Sequence, residues 1–523
     1  MILHPFKFFN GGAAKVILMQ HRIRLMISTW LRHFICLALV TYIAGATTAQ
    51  AQAGKSSFNR RFEGFIERLR HDPSAPPGFA IVVVDGSNTV FERAYGTRDM
   101  RTNDPLTLDA PIYIASTTKS FVGLLAAQLD AAGVLSLNAT MRDVWPTISL
   151  PPPLDPSKVT ARAFLSHVSG IESPVLGWRY SDTGEYRSEE VPSILRRYAV
   201  VANRAFDYGN IGPVIYSAMA EARLKQSWRD ALQIYVARPL KLKHTSARLE
   251  DFAPVEIGQC HARWGGRWTV APQKPTVLLD AGGGILSSAR DSGIYLKAFT
   301  SDGKSTGGAI PAAVLRETYK KAATQDRDFF GFHRYGYGLG WDLSEYGSHK
   351  VVSRSGGYPG CRSIMLFLPE ERFGVLVFSL SDAGANLFGT MVTQQAIDYW
   401  TNNPRADSRA AERLSTFATA AAKSIREADD VPAMPEDRSA GVSPDYVGWY
   451  ESAGRGRVAI SMHPNGMEAS AGALRLLLAP EAKDQFAAYD ATVPGPPRPL
   501  KFRRNAAGAI DAFIFREVTF LKQ

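Results

Sequence analysis

Strand-forming segments lie at both ends of a long region whose middle is helical, and this arrangement constrains the fold most strongly. At the N-terminal end, residues 79–95 hold two runs of strand formers separated by turn residues, which predicts a β-hairpin. At the C-terminal end, residues 351–380 hold three such runs and predict an antiparallel meander, followed by a helix at 386–400. We therefore expect an α+β fold, an α/β sandwich in which helices flank one antiparallel sheet built from both extremes of the region.

Composition changes along the chain predict its division into domains. The 523 residues are enough for about three domains, and an aromatic content of 11% with scattered charge argues against a disordered or fibrous chain. The sheet-forming region is expected to occupy residues 54–402 as one domain. Residues 403–444 are rich in Ala, Arg and Asp and end in prolines, which predicts a helix and a linker. Residues 445–523 alternate short apolar segments with Gly, Pro and Asn turns, so a small all-β C-terminal domain is expected.

Residues 1–53 have the order of a secretory signal peptide. A basic stretch precedes a 13-residue apolar run at 34–46, which is shorter than the roughly 20 residues needed to span a bilayer. Small residues at 49–53 then offer two cleavage sites, and Met26 is a candidate for the true start. We therefore expect an exported protein, periplasmic or extracellular. The alternative is an uncleaved leader, which would be the sole basis for membrane association.

The net charge of +11 belongs partly to this leader, which contains five Lys and Arg residues and no Asp or Glu. Of the 60 Lys and Arg residues, 55 remain beside 49 acidic residues, and no Lys/Arg-rich run of the kind that follows a phosphate backbone occurs. Nucleic acid is therefore not expected as a partner. The sequence leaves the oligomeric state open.

Cysteine and histidine spacing bears on redox state and on metals. Cys36 lies in the leader, so Cys260 and Cys361 remain as a pair that could form a disulfide in an oxidising compartment or stay as two buried thiols. The seven His residues after the leader are all more than five residues apart, so no His-x-His or His-Glu-x-x-His metal motif occurs. We expect neither a metal nor an organic cofactor.

Ser116 and Lys119 form a Ser-x-x-Lys pattern at the start of an apolar helix predicted over residues 116–132. Side chains three residues apart lie on one face of a helix, so the Lys119 amine is expected close to the Ser116 hydroxyl. A hydroxyl is a weak nucleophile unless a base accepts its proton, and a desolvated lysine can supply that base. The alternative is a helix-capping Ser116 with a solvated lysine one turn later.

A second serine motif, Gly-x-Ser-x-Gly, places Ser305 within residues 303–307. A nucleophile elbow needs an apolar strand before the serine and a helix after it. Here residues 294–299 have a helical pattern and residues 300–302 are polar, so we interpret the motif as a surface loop.

Two further motifs could serve the same reaction as Ser116 and Lys119. The Tyr-Gly-Asn motif at 208–210 combines a phenol, whose pKa neighbouring cations can lower, with an amide that suits an amide-bearing substrate. The Arg-Ser-Gly-Gly motif at 354–357 ends a strand, and its glycines allow the backbone to approach a reacting carbonyl closely. Taken alone, each motif is equally typical of a turn.

Together, in this order, the three motifs resemble those of the penicillin-recognising serine hydrolases, most closely the branch of class C β-lactamases, D-alanyl-D-alanine carboxypeptidases and related esterases. That family combines Ser-x-x-Lys, Tyr-x-Asn and a Lys-Thr-Gly or His-x-Gly strand. The resemblance covers residues 76–400 and implies a β-lactamase/transpeptidase-like serine hydrolase fold for the domain at 54–402. Further segments that fit this branch are 165–170, 238–240, 281–287 and 335–341.

The resemblance implies a role for each of these residues. Ser116 would be the acylated nucleophile, Lys119 its proton partner and Tyr208 the base that relays protons. Substrate binding would fall to a second group, namely Asn210, Arg354, Ser355 and Gly357. Within that group Asn210 would contact the substrate amide, and the N–H groups of Ser116 and Gly357 would form the oxyanion hole.

Arg354 departs from the family pattern, which has Lys or His at this place. Arginine keeps the positive charge but does not release its proton, so it can support Tyr208 electrostatically or bind a substrate carboxylate without relaying protons. We therefore expect an exported serine hydrolase that acts through an acyl-enzyme on amide or ester bonds of β-lactams, D-amino-acid peptides or esters. The alternative is a non-hydrolytic penicillin-binding, sensor or scaffold protein that retains the fold.

Overall fold

The computed structural model describes Met19, residues 54–493 and residues 495–523. Met26 and the predicted cleavage sites lie outside the described residues, as does the rest of the predicted signal peptide apart from Met19. Within the described residues, no helix is both long enough and apolar enough to cross a membrane.

The chain falls into two units, Met1–Glu63 and Gly64–Gln523. Residues 54–63 of the first unit are helical, and every element named below belongs to the second unit. In the second unit residues 64–70 are also helical. The further α-helices of that unit are Thr118–Ala131, Met141–Val144, Ala161–Leu165, Pro174–Trp178, Val191–Tyr198, Ile211–Leu224, Trp228–Leu232, Ala289–Thr300, Ala312–Thr318, Ala385–Trp400 and Ala406–Asp429.

The described residues also contain 24 β-strands, which we number in chain order. They are β1 (Gly78–Asp85), β2 (Asn88–Asp99), β3 (Asp104–Pro105), β4 (Ile112–Tyr113), β5 (Ile171–Glu172), β6 (Val200–Val201), β7 (Thr245–Ser246), β8 (His261–Trp264), β9 (Arg267–Val270), β10 (Leu286–Ser287), β11 (Ala323–Phe329), β12 (Phe332–Tyr337), β13 (Asp342–Tyr346), β14 (His349–Tyr358), β15 (Cys361–Leu368), β16 (Phe373–Ser379), β17 (Gly448–Ser452), β18 (Gly456–His463), β19 (Gly466–Ala471), β20 (Leu474–Ala482), β21 (Gln485–Asp490), β22 (Arg498–Arg504), β23 (Ile510–Phe515) and β24 (Val518–Lys522).

A nine-stranded antiparallel sheet joins the two ends of the hydrolase-like region, which is the domain predicted at residues 54–402. Its strand order is β11-β12-β13-β14-β15-β16-β1-β2-β3, so β1, near the start of the region, pairs with β16, near its end. In that pair Phe79 lies opposite Ser379, and Asp85 lies opposite Phe373. The hairpin β1–β2 and the meander β14–β15–β16, both predicted from the sequence, are present.

The interior strand β1 is buried because helices cover both of its faces. Successive side chains of a strand point to opposite faces of the sheet. Val82 faces helix Ala289–Thr300. Phe79 packs edge-on against Phe388 of helix Ala385–Trp400, with ring centroids 4.7 Å apart. A strand covered on both faces needs a continuous apolar run rather than an alternating one, which explains the Phe-Ala-Ile-Val-Val-Val sequence of β1.

Strands β17 to β24 form a closed antiparallel barrel, in which β17 also pairs with β24. Its apolar core includes Tyr450, Phe502 and Phe513, whose ring centroids lie 5.0 to 6.1 Å apart. Trp178 belongs to the same cluster, and its Nε1 donates to the Arg455 carbonyl oxygen at 3.1 Å. The barrel is therefore docked on the hydrolase-like region.

The predicted fold class is confirmed, because helices flank an antiparallel sheet and a small all-β domain follows. Helix Ala406–Asp429 lies within the segment predicted as helix and linker, and β17 begins at Gly448. The domain limits at 402 and 444 themselves remain predictions.

Cys260 and Cys361 form a disulfide that spans 101 residues of sequence. Of the two alternatives that the sequence allows, the structure thus contains the bonded pair. The bond ties the segment before β8 to the first residue of β15.

The interpretation of residues 303–307 as a loop is also confirmed. Lys304–Thr306 forms a single 3-10 turn, and the glycines on either side of it adopt left-handed backbone conformations. Because a helix rather than a strand precedes Ser305, this serine does not sit on a nucleophile elbow.

Candidate active site

Ser116 lies on a 3-10 turn, Ala115–Thr117, that leads directly into helix Thr118–Ala131. Ala115 adopts a left-handed backbone with a φ of 46°, which is costly for a residue that carries a side chain. Such outliers persist where the surrounding structure holds them and are concentrated at functional sites. The local backbone therefore marks Ser116 independently of its sequence motif.

Two hydroxyl groups hold this turn against the sheet. Thr117 Oγ1 lies 2.8 Å from Ser363 Oγ on β15, and Ser363 Oγ donates to the Ile114 carbonyl oxygen at 2.7 Å. All three residues are buried, so these hydrogen bonds are shielded from water. They hold the start of the helix against strand β15.

Lys119 is almost fully buried, with 2% of its surface exposed, and its amine contacts three oxygen atoms. Nζ lies 3.0 Å from Ser116 Oγ, 2.6 Å from Asn210 Oδ1 and 2.5 Å from the Gly282 carbonyl oxygen. Burial lowers the pKa of Lys119 from its usual value, and the Arg354 cation acts in the same direction. The site therefore favours the neutral amine more than water does.

A neutral lysine amine has two N–H donors and one lone pair. The amide oxygen of Asn210 and the carbonyl oxygen of Gly282 are acceptors, so they take the two N–H groups. The lone pair then faces Ser116 Oγ and can accept the serine proton. The three contacts thus orient Lys119 as a base toward the Ser116 hydroxyl.

Tyr208 accepts a hydrogen bond from Arg354 Nη2 at 2.5 Å, and Lys119 Nζ lies 5.0 Å from the centroid of its ring. Burial raises the pKa of the Tyr208 hydroxyl, but the Arg354 and Lys119 cations outweigh burial and lower the pKa to about 8. The Ser116 side chain acts in the same direction as the cations. Tyr208 can therefore exchange a proton close to neutral pH.

Arg354 is buried, with 4% of its surface exposed, and its guanidinium is committed to protein groups. Nη1 donates to Asp342 Oδ2 at 3.0 Å and to the Tyr337 hydroxyl at 3.3 Å, and Nε donates to the Ser355 carbonyl oxygen at 3.1 Å. With Tyr208 counted, four of its five N–H groups have acceptors among the described residues. Of the two roles that the sequence leaves open, this geometry favours support of Tyr208 over binding of a substrate carboxylate.

Strand β14 brings its glycines against the Ser116 turn. A Cβ at Gly356 would lie 2.2 Å from the Ile114 carbonyl oxygen and 2.9 Å from the Ser116 nitrogen, so only glycine fits there. The next residue, Gly357, is exposed and lines the same cavity as Ser116. The N–H groups of Ser116 and Gly357 can therefore face a single carbonyl oxygen.

The structure brings the predicted site residues together. Those that line one cavity are Ser116, Tyr208, Arg354, Ser355 and Gly357. Lys119 and Asn210 lie behind Ser116 and reach it through the Lys119 amine. The cavity has a volume of about 870 Å³.

His167, which the sequence analysis does not nominate as catalytic, packs against the site. Its ring centroid lies 4.7 Å from that of Tyr208, and its Nε2 lies 3.3 Å from the Tyr337 hydroxyl. Burial lowers the pKa of His167 well below the usual value, and the Lys119 and Arg354 cations add to this. A neutral His167 therefore supports the aromatic packing without adding charge.

No sequence motif gives a role to Asp342, Tyr337 or Asp280. Asp342 is fully buried and pairs with Arg354 from the neighbouring strand β13. Asp280 accepts the Gly282 N–H at 2.6 Å and so orients the residue whose carbonyl group faces the lysine. Tyr337 lies in a segment that supports the resemblance, and that segment was the available signal. Asp342 follows the same segment, but nothing in the sequence marks it as buried.

The barrel supplies part of the cavity wall. The lining residues from the barrel domain include Leu476, Ala488, Asp490, Arg498, Phe515 and Arg516. The sequence predicted the all-β domain but not this position beside Ser116, because the docking depends on tertiary contacts such as that of Trp178.

Residues 62–396 match the model of the Beta-lactamase family. The chain belongs to the β-lactamase family. The resemblance drawn from the motifs is thereby confirmed. Penicillin-binding protein 4 of Amycolatopsis lactamdurans is 25% identical over 336 residues, which cover 61% of this chain and 84% of that protein. The D-alanyl-D-alanine-carboxypeptidase/endopeptidase AmpH of Escherichia coli (strain K12) is 23% identical over 322 residues, which cover 58% of this chain and 79% of that protein.

A solved structure shares the fold of this chain. The octameric penicillin-binding protein homologue from Pyrococcus abyssi superposes with a TM-score of 0.55 at 20% identity, and the match covers 88% of this chain and 99% of that chain. The relatives of this chain are serine hydrolases of the β-lactamase family.

Proposed function

We propose that this β-lactamase-family protein is an exported serine hydrolase that forms and hydrolyses an acyl-enzyme at Ser116. Its substrates would be amide or ester bonds in β-lactams, D-amino-acid peptides or simple esters. The observation that carries the proposal is the Lys119 amine, which lies 3.0 Å from Ser116 Oγ while acceptors occupy its other two directions. This arrangement supplies the base that a serine nucleophile needs.

In the acylation step, Ser116 Oγ attacks the substrate carbonyl carbon and its proton passes to the neutral Lys119 amine. The carbonyl oxygen becomes an oxyanion, which the N–H groups of Ser116 and Gly357 stabilise. The Tyr208 hydroxyl then gives its proton to the departing nitrogen or oxygen as the scissile bond breaks. The products are the acyl-enzyme, a Lys119 ammonium and a Tyr208 phenolate.

In the deacylation step, a water molecule attacks the acyl carbon and loses its proton to the Tyr208 phenolate. The ester bond to Ser116 breaks, and Ser116 Oγ takes back a proton from the Lys119 ammonium. Both groups return to their starting states, so the proton balance closes over one turnover. Throughout the cycle Arg354 stays charged and stabilises the phenolate, since its guanidinium does not titrate in this range.

Two observations support export of this hydrolase. The leader at residues 1–53 has the order of a signal peptide. The Cys260–Cys361 disulfide is typical of proteins that fold in oxidising compartments. Fractionation of cells that express the full chain tests this part of the proposal. We expect mature protein that lacks residues 1–53 in the periplasm or medium, and full-length protein retained in the cytoplasm would contradict export.

The test of the hydrolase activity is turnover of a chromogenic β-lactam, a p-nitrophenyl ester and a D-Ala-D-Ala peptide. Wild-type protein should hydrolyse at least one of them over many turnovers, and Ser116→Ala should hydrolyse none. Ser305→Ala, which changes the serine of the loop motif, is the matched control and should keep wild-type turnover. A single covalent adduct without further turnover would instead support the non-hydrolytic penicillin-binding alternative.

A further inference from the structure

The cavity that contains Ser116 is lined by more basic than acidic side chains. Its basic residues are Lys274, Arg354, Arg362, Arg498 and Arg516. Its acidic residues are Asp182, Asp382 and Asp490. Some of these charged side chains bond to other protein groups. The partners of each residue therefore determine which charged groups are available to a ligand.

All three acidic groups have partners. Asp182 accepts from Arg516 Nη1 at 2.9 Å. Asp382 accepts the backbone N–H of Gly360 at 3.0 Å, and Asp490 accepts a backbone N–H at 2.8 Å. Each of the three carboxylates therefore already accepts a hydrogen bond from the protein.

Most of the basic groups are committed too. Arg354 is held by Tyr208 and Asp342, and Arg362 Nη1 donates to two backbone carbonyl oxygens at 2.7 and 2.9 Å. The side chains of Lys274 and Arg498, by contrast, form no hydrogen bond or ion pair with the described part of the chain. These two residues supply the uncommitted positive charge of the cavity.

Lys274 lines the same cavity as Ser116 and lies against two tyrosine rings. Its Nζ lies 5.9 Å from the ring centroid of Tyr113 and 5.7 Å from that of Tyr358, and these two rings meet edge-on with centroids 4.8 Å apart. Tyr113 is three residues before Ser116, and Tyr358 directly follows Gly357. Lys274 therefore lies against the side chains of two residues whose backbone segments lead to the proposed oxyanion hole.

Aromatic faces attract an ammonium group without neutralising its charge. The Tyr113 and Tyr358 rings thus position Lys274 and leave its N–H donors available to a ligand. Arg498 differs, since it is an exposed residue at the start of β22, where water screens its charge.

We propose that Lys274 is the anion-binding residue of the Ser116 site, and that it holds a carboxylate group of the substrate. The inference rests on the proposed acyl-transfer function and adds a specificity-determining residue to it. Lys274 takes this part because Arg354, the cation of the β14 motif, is buried and bound to Tyr208 and Asp342.

The test compares substrates that differ only in a carboxylate. One pair is benzylpenicillin and its methyl ester, and a second pair is the butyrate ester of 3-hydroxybenzoic acid and phenyl butyrate. For each pair, the ratio of the acylation rate constants of the acidic and the neutral compound is measured for wild type, Lys274→Met and Lys274→Arg. Lys321→Met is the matched control, because Lys321 Nζ also lies over a tyrosine ring, at 5.7 Å from the Tyr335 centroid, but outside this cavity.

Loss of one charge-assisted contact should lower the acid-to-neutral ratio about tenfold in Lys274→Met. Lys274→Arg should keep most of the ratio, and Lys321→Met should keep all of it. An unchanged ratio in Lys274→Met, or an equal fall in Lys321→Met, overturns the inference while leaving the hydrolase proposal standing. Wild-type protein that reacts with neither pair and does not cleave a D-Ala-D-Ala peptide overturns the proposed function, and the role of Lys274 falls with it.

Discussion

Arg354 Nη2 donates to the Tyr208 hydroxyl at 2.5 Å, and the Arg354 guanidinium carbon lies 4.7 Å from the centroid of the Tyr208 ring. The arginine is therefore both a hydrogen-bond donor and a permanent positive charge beside the phenol. Asp342 fixes the far side of the guanidinium at 3.0 Å. The Arg354–Tyr208 contact explains how an arginine can occupy the place where the family pattern has Lys or His. The Tyr208 proton can be transferred while Arg354 keeps its own.

We expect activity to rise with pH through an apparent pKa of about 8. The pKa of Tyr208 is lowered to about 8 and that of Lys119 is lowered as well, and the two groups share their protons as a pair. The productive pair has lost one proton, so kcat/KM is low below this pKa and climbs as the pH rises through it. The measurement is kcat/KM between pH 5 and 10 on an ester that does not titrate. A flat profile in this range would contradict the proton-sharing role of the pair.

Tyr208→Phe removes the group that exchanges protons with the substrate while keeping the aromatic ring. We expect kcat to fall by about 100-fold or more, as loss of a general acid-base group does. Thermal unfolding provides the control, because a folded variant with intact packing against His167 should melt close to wild type. Wild-type turnover in this variant would exclude Tyr208 from the proton transfers.

Arg354→Lys and Arg354→Gln separate the charge of this residue from its shape. The Gln variant lacks the cation that lowers the pKa of Tyr208, so the rising limb of the pH profile should move about one to two pH units higher. The Lys variant keeps the charge, so its limb should stay closer to that of wild type. Equal pH profiles in the two variants would show that charge is not what Arg354 contributes to Tyr208.

Gly356→Ala and Gly357→Ala form a matched pair on β14. A Cβ at Gly356 meets backbone atoms of Ile114 and Ser116 at 2.2 and 2.9 Å, so this variant must displace the nucleophile turn. A Cβ at Gly357 would lie 3.1 Å from the Arg362 guanidinium, and this flexible side chain can move to make room for it. We expect acylation to fall by about 100-fold or more in Gly356→Ala and by far less in Gly357→Ala. Similar losses in both variants would contradict the close approach of β14 to the Ser116 turn.

Reduction of the Cys260–Cys361 disulfide should destabilise the protein. The bond closes a long loop, and removal of such bonds costs about 2 to 4 kcal/mol of unfolding free energy. Denaturant unfolding with and without a reductant measures this difference. The Cys260→Ser/Cys361→Ser variant is the control, since it should unfold like the reduced protein and be insensitive to the reductant. Wild-type unfolding that the reductant leaves unchanged would contradict the bond.

Much of the fold could be predicted because its signals are local. The apolar run of β1 and the turn after it predict the hairpin, and the three runs at 351–380 predict the meander. Helical spacing likewise predicts the Lys119 amine beside the Ser116 hydroxyl, which the structure places 3.0 Å apart.

The remaining features of the site depend on tertiary contacts that leave no local pattern. Asp342 resembles any polar strand residue until the fold buries it against Arg354. The Gly282 acceptor is a backbone carbonyl group, so no side chain in the sequence indicates its role. The pairing of Cys260 with Cys361 depends on their distance in the fold, so the sequence allowed both the bond and the free thiols.

The most direct test of the account is intact-mass spectrometry of the protein quenched during turnover of a β-lactam or an activated ester. The account predicts one acyl group per chain, and peptide mapping that places it on Ser116. The Ser116→Ala variant should carry no added mass under the same conditions. An acyl group on another residue, or an adduct that persists in Ser116→Ala, would contradict the assignment of Ser116 as the nucleophile.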